Sequence, residues 1–277
     1  MRKRKVSITE QIIVHFILIL GVLSMILPFL WMVSTSFKNS DEIFVFPPRW
    51  IPNNPTFQNY IDLFKTLDFG RPLLNTIIVA LSITFLSLLI SSMAGYAFAK
   101  FKFKGKNKIF MIVLGTLMVP GQITMIPVFL LLRQMGLLNS FAGLILPAMV
   151  SAYNIFFMKQ FIQGLPDELI EAAKIDGAGE GFIFFRIILP LAKPALAALS
   201  IFTFTGSWNS FLWPLIISSD ESMYTLPVAI SVIGGQYEVQ YGLQMAGAVV
   251  VILPLIIVFL SAQKYFIKGI SLTGMKG

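Results

Sequence analysis

The sequence predicts an all-α polytopic membrane protein with six transmembrane helices. Hydrophobic residues make up 56 % of the chain and charged residues only 12 %. Mean hydropathy is +0.82. Six apolar runs reach about 20 residues, the length that crosses about 30 Å of hydrocarbon at 1.5 Å per residue. A soluble domain of 277 residues needs far more polar surface. The runs lie near residues 11–35, 72–99, 109–131, 141–160, 195–217 and 242–263.

The first run follows MRKRK, which resembles the basic start of a secretory signal. Its apolar stretch from Ile12 is too long for one, and no A-x-A site follows, so it reads as an uncleaved span. Six spans put both termini on one side. With the N-terminus inside, every Lys and Arg of the 21 falls in an inner segment except Lys38, Arg49, Lys65, Arg71 and Arg133. That bias follows the positive-inside rule, so both termini are expected in the cytoplasm. The net charge of +8 is then a matter of orientation, and nucleic acid is not an expected partner. Trp31, Tyr60, Tyr96, Trp213 and Tyr265 lie near span ends, as interfacial belts do. The expected organisation is a cytoplasmic segment over 1–10, one transmembrane domain over 11–264 and a cytoplasmic tail over 265–277.

Two connecting segments on the outer side look ordered. In the first, PTFQNYIDLFKTL places Phe57, Tyr60, Ile61 and Phe64 at i, i+3, i+4 and i+7. This predicts a short amphipathic helix on the outer membrane surface or against a neighbouring protein. In the second, residues 219–241, the central TLPVAISVIGG is too short to span. It either dips toward the membrane or a partner, or forms a lid over helix ends.

The chemistry that is missing narrows the function. The chain has no Cys, which excludes a disulfide framework and thiolate chemistry. No G-x-x-x-x-G-K-[S/T] occurs, so ATP is not bound by a P-loop. The lone His15 makes neither a metal cluster nor a Ser–His–acid constellation. No acid lies in the central part of any span, where proton- or sodium-coupled carriers place ionisable groups. We expect no catalytic residue, no metal site and no cofactor bound by this chain. A transport pathway driven by separate subunits fits that inventory, with a secondary carrier as the alternative.

One polar interruption stands between the fourth and fifth spans. Five acids lie between Asp167 and Glu180, with glycines at 177, 179 and 181. LPDELIEAAKIDGAG reads as a helix with punctuation. Pro166 suits the first helical position, Asp167 and Glu168 suit the positive end of the dipole, and Gly177 suits a left-handed C′ residue. Leu169, Ala172 and Ala173 share a face that shrinks toward the middle and allows close approach by another backbone. The acids are awkward against an anionic leaflet, which favours docking on protein. A second helix is expected from about Gly181, with Phe182, Phe185 and Ile188–Leu189 as its apolar stripe. Pro190 and Pro194 then bracket the return into the fifth span. Taken alone, the segment equally suits a well-capped solvated helix.

The spacing Glu171-Ala172-Ala173, Asp176-Gly177-Ala178, Ile187, Leu189-Pro190 and Pro194 resembles the EAA loop of ABC importer permeases. GYAFAKFKFKGK (95–106), MVPGQITMIPVFLLLRQMGLLNS (118–140), SWNSFLWPLII (207–217) and QKYFIKGISLTGMKG (263–277) resemble the maltose-type carbohydrate branch of that family. The resemblance covers essentially the whole chain. It implies a type I ABC importer permease fold in a bacterial or archaeal plasma membrane, with an EAA loop at about 165–194. It implies a second permease subunit, usually a different chain, two cytoplasmic ATP-binding cassette subunits and an extracytoplasmic sugar-binding protein. ATP and Mg would sit on the ATPases. Glu171, Ala172, Ala173, Asp176, Gly177, Leu189 and Pro190 would form the ATPase joint. A permease for a non-sugar solute is the near alternative.

Sugar sites combine hydroxyl or amide side chains with aromatic platforms. In the fifth span Thr205, Asn209 and Trp213 fall at i, i+4 and i+8, one stripe of a continuous helix, with Gly206 beside it. They are the candidate pathway residues. Packing between helices, with Asn209 bonding across them, explains the same stripe.

Overall fold

The computed structural model describes residues 8–65, 68–236 and 240–273, with backbone alone at 233–236 and 262–273. The described residues contain helices and no strand. The basic cluster Arg2–Lys5, Lys276 and residues 237–239 lie outside them. α1 (Ile8–Ser36) is followed by two short helices, α2 (Ser40–Ile43) and α3 (Gln58–Lys65), and by the long α4 (Gly70–Lys100). α5 (Lys106–Gly115) runs through a 3-10 turn to Met118 and meets α6 (Gly121–Gln134) at a bend of 101°. α7 (Phe141–Ile145), with the 3-10 turn Leu146–Ala148, meets α8 (Ala152–Gln163) at 47°. α9 (Glu168–Ile175), α10 (Glu180–Ile183) and α11 (Leu189–Leu191) lead into α12 (Lys193–Trp208), which is bent 76° from Glu180–Leu191. α13 (Leu212–Ile217), α14 (Leu226–Gln236) and α15 (Tyr241–Thr273) complete the described chain.

α1, α4 and α15 are each long and apolar enough to cross a membrane, and counting each bent pair as one span gives six. The apolar runs therefore mark the spans, but three of them are not straight. Val119 is extended (φ −89°, ψ 116°) because Pro120 follows it and disfavours the helical conformation of its neighbour. The predicted fifth span, 195–217, is corrected in a similar way. α12 stops at Trp208 and α13 restarts at Leu212, so residues 209–211 break the helix.

The chain forms two compact units, Met1–Phe69 with Ile230–Leu253 and Gly70–Ala229 with Pro254–Gly277. In the first, Lys38 is 1 % exposed. Its ammonium donates to the Arg49 carbonyl at 2.6 Å and lies 4.0 Å above the Trp31 ring. Asn59 Nδ2 donates to the Ser36 and Lys38 carbonyls, both at 2.9 Å, fastening α3 to the end of α1. The predicted amphipathic helix is present, but its buried positions are not the expected ones. Leu63 is fully buried, one turn from Asn59, whereas Phe57, Ile61 and Phe64 are exposed. The apolar face is only partly covered: Phe57 meets Phe37 at 5.3 Å and Phe64 meets Phe69 at 6.1 Å between ring centroids, and the rest of these side chains stays exposed.

In the second unit α4 is the spine, packed against α8 and α12. Ser87, Ser91 and Gly95 recur every four residues, and both serines are fully buried. Small residues at this spacing let helices approach closely. At Gly95 a Cβ would lie 2.7 Å from Met158 Cβ and 2.9 Å from the Lys159 amide nitrogen, so α4 and α8 cross there almost backbone to backbone. Residues 218–226 are tied to the start of α4. Arg71 Nε donates to the Ser222 carbonyl at 3.0 Å, and Asn75 Nδ2 donates to the Ser222 and Tyr224 carbonyls at 2.8 and 2.9 Å. The segment expected to be ordered is held, and it continues into α14, which is too short to span.

Candidate functional site

The loop between α8 and α12 is a braced helix. α9 begins at Glu168 with Asp167 as its N-cap, so Pro166 lies just before the helix rather than at its first position. The Asp167 carboxylate makes no capping bond. It is taken instead by Lys100, whose ammonium donates to Asp167 Oδ1 at 2.5 Å and to the Leu165 carbonyl at 2.6 Å. Hydrogen bonding and charge from Lys100 hold the Asp167 carboxyl below its ordinary range. Lys100 is the buried member, at 8 % side-chain exposure against 72 % for Asp167, so the brace is anchored in α4. A second brace lies one turn earlier on α4. Tyr96 OH donates to Glu180 Oε2 at 2.9 Å, and Lys174 pairs with Glu180 Oε1 at 2.7 Å.

The end of α9 is closed as the sequence leads one to expect. Gly177 has φ +79°. The Ala178 amide donates to the Ala173 carbonyl at 2.9 Å and the Gly177 amide to the Lys174 carbonyl at 3.0 Å, the paired bonds of a Schellman cap. The faces differ from the expected ones. Ala173 and Ile170 are buried at 8 % and 7 %, so Ala173 belongs to the inner face. Leu169, Ala172 and Ile175 form the outer stripe at i, i+3 and i+6, flanked by the exposed Glu171 and Asp176. Ile175 is 86 % exposed, a large apolar surface left uncovered by this chain. Leu189 and Pro190 lie in α11, at the turn into α12, and Leu189 packs against the core cluster that includes Ile170 and Ala173.

The stripe expected on the second loop helix is also displaced. Phe182 and Phe185 are exposed, while Ile183, Phe184 and Ile188 are buried. Residues Phe184–Ile188 form a π turn, which inserts an extra residue per turn and replaces α spacing by i, i+1, i+5. Periodicity of 3.6 cannot anticipate that insertion.

A cavity of about 650 Å³ opens inside the second unit, among α4, α6, α8, α12 and α13. α12 presents Thr203, Gly206 and Ser207 to it, with Ser210 just beyond the helix. Thr205 and Asn209 are not among its lining residues, and Asn209 is exposed. The reason is angular. Each residue turns a helix by about 100°, so Thr205 points roughly 200° away from Thr203 and lies on the opposite side. Trp213 does line the cavity, but from α13, beyond the break, with Nε1 donating to the Gly143 carbonyl at 3.2 Å. The expected three-residue stripe is therefore not assembled; only Trp213 reaches the cavity. On the opposite wall Asn154, 4 % exposed, donates through Nδ2 to Ser87 Oγ at 3.1 Å and to Thr203 Oγ1 at 3.0 Å. Sequence reading missed Asn154, although a lone amide in an apolar run is a signal of a polar network.

The comparisons with known proteins cover both regions. Residues 87–272 match the family described as binding-protein-dependent transport system inner membrane component. The chain is 40 % identical over 263 residues to the arabinooligosaccharides transport system permease protein AraQ of Halalkalibacterium halodurans, covering 91 % of each. It is 36 % identical to the sn-glycerol-3-phosphate transport system permease protein UgpE of Pectobacterium atrosepticum, covering 92 % of this chain and 94 % of that one. A crystal structure of a bacterial ABC transporter involved in import of the acidic polysaccharide alginate matches with a TM-score of 0.85 at 25 % identity. That match covers 95 % of this chain and 100 % of the other. With six apolar spans, a braced polar loop and relatives matched along nearly their full length, the chain belongs to the binding-protein-dependent transport system inner membrane component family, as a multi-pass permease subunit.

Proposed function

We propose that this chain is one permease subunit of an ATP-driven sugar importer and that α9 is its joint to a cytoplasmic ATPase. The observation that carries the reading is the outer face of α9. Leu169, Ala172 and Ile175 are uncovered, while two polar braces and a glycine cap fix the helix to the rest of its unit. A short helix held rigidly with an apolar stripe outward is built to be pushed. ATP hydrolysis belongs to the separate subunits, which carry ATP and Mg. A second permease completes the pathway, and an outer binding protein delivers the sugar; the family's description as binding-protein-dependent supports the latter. The glycerol-phosphate relative keeps a non-sugar solute as the alternative cargo. Affinity purification of the tagged chain is expected to bring down a second permease and ATPase subunits. The isolated chain in liposomes is expected to move no solute. Solute uptake by the isolated chain would point to a carrier instead.

The same reading places α9 and the α4–α5 connection in the cytoplasm, and the α1–α4 connection and residues 219–225 outside. The transmembrane domain is taken to run over 11–264. The chain lacks Cys, so single substitutions report side directly. Ser40→Cys and Ser222→Cys are expected to react with an impermeant maleimide added to intact cells, and Asn107→Cys only after lysis. Reaction of Asn107→Cys alone in intact cells would invert the topology.

A further inference from the structure

Resting on the importer reading, we infer that the cavity beside α12 receives an uncharged saccharide and rejects anionic cargo. Its volume of about 650 Å³ suits a ligand of a few rings, since small-molecule sites span about 300–1,000 Å³. Gln122, Ser151, Asn154, Thr203, Ser207 and Ser210 bring amides and hydroxyls to its wall. Tyr153, 49 % exposed, and Trp213 bring aromatic surface. Hydroxyl and amide groups exchange hydrogen bonds with sugar hydroxyls, while flat rings accept the C–H face of a pyranose or furanose. Ser207 lines the cavity, and its Oγ is buried with no hydrogen-bond partner among the described residues.

The decisive feature is charge. Among the described residues that line the cavity, none is Asp, Glu, Lys, Arg or His. A phosphate or carboxylate drawn into such a site would lose its hydration without meeting a cation, which is strongly unfavourable. An uncharged polyol exchanges water hydrogen bonds for protein ones and loses little. The Trp213 ring is fixed by its bond to Gly143, and Asn154 is fixed by Ser87 and Thr203, so two of the recognition groups are preorganised. On this wall's chemistry, the cargo is an uncharged saccharide and not an anion such as a glycerol phosphate or an acidic sugar.

Protection from labelling tests this in the importer assembled with its second permease and ATPases in nanodiscs. Gln122→Cys and Ser210→Cys place single thiols in the cavity, and Asn107→Cys places one away from it. Maleimide incorporation is read on this chain's own gel band. The probes are neutral di- to tetrasaccharides of pentose, hexose and N-acetylhexosamine units, with glycerol 3-phosphate and trigalacturonate as anions. At least one neutral probe is expected to slow labelling of both cavity thiols about tenfold when present at about ten times its Kd, by simple occupancy. The anions should leave all three thiols unaffected. Protection by an anion as strong as by the best neutral sugar overturns the inference, and so does protection by no neutral sugar. Either failure leaves ATP-driven uptake by the same complex intact. Loss of that uptake for every solute would instead overturn the importer reading itself.

Discussion

Gly177→Val is expected to leave the chain in the membrane at normal levels while uptake and sugar-stimulated ATPase activity fall about tenfold or more. A side chain at φ +79° costs about 1–2 kcal/mol in backbone strain. No atom lies within 4 Å of the position a Cβ would take, so the cost is conformational and not a clash. That strain favours opening of the cap formed by the Ala178 and Gly177 amides, and 1.4 kcal/mol is a factor of about ten in that equilibrium. α9 would then fray at the end nearest Lys174, whose pairing with Glu180 is the second brace. Gly177→Asn, which tolerates the left-handed region better, should keep most of the activity. Equal activity of the Val variant and the wild type would show that the cap plays no part in coupling.

The second large effect is expected at Gly95. Gly95→Leu forces a Cβ to 2.7 Å from Met158 Cβ and 2.9 Å from the Lys159 backbone, and backbone cannot swing aside as a flexible side-chain end can. Overpacking in a tight core costs about 1–3 kcal/mol, and a leucine at a helix crossing lies at or beyond the top of that range. α4 and α8 must separate. That shift moves Tyr96 away from Glu180 and Ser87 away from Asn154, disturbing the loop and the cavity together. Purified variant complex should lose several degrees of Tm by intrinsic fluorescence, with ATPase activity no longer responsive to sugar. Gly115→Leu, with open space at the same test position, serves as the control and should match the wild type. A Gly95→Leu complex with unchanged Tm would contradict the close crossing.

How much of this was legible in the residues depends on what each pattern can encode. Apolar runs mark where the chain crosses lipid, because transfer energy sums along the run whatever its direction. They carry no information on bends, so the 101° turn at Val119–Pro120 and the break at 209–211 were hidden inside spans read as straight. That omission is why Thr205 and Asn209 were grouped with Trp213, the one of the three that lines the cavity. Thr205, Asn209 and Trp213 share a face only if the helix runs on, and Thr203 and Ser207 were equally polar candidates on the other side. Choosing between the two faces takes the packing of α4 and α8, which no single-chain periodicity contains. The glycine cap was legible because a left-handed residue after a helix leaves few alternatives to Gly. The braces were not. Lys100 and Asp167 are 67 residues apart and Tyr96 and Glu180 are 84 apart, and no local pattern joins them.

The most direct measurement is a cross-link from α9. In the chain without other thiols, Ala172→Cys sits in the uncovered stripe and Ala173→Cys on the buried face, at 8 % exposure. A short bismaleimide added to the assembled complex should join Ala172→Cys to a cysteine on the ATPase surface, in a yield that changes when ATP is bound. Ala173→Cys should give little product. A bare result at Ala172→Cys across several ATPase cysteine positions, or equal cross-linking from Ala173→Cys, would contradict α9 as the joint through which ATP drives this permease.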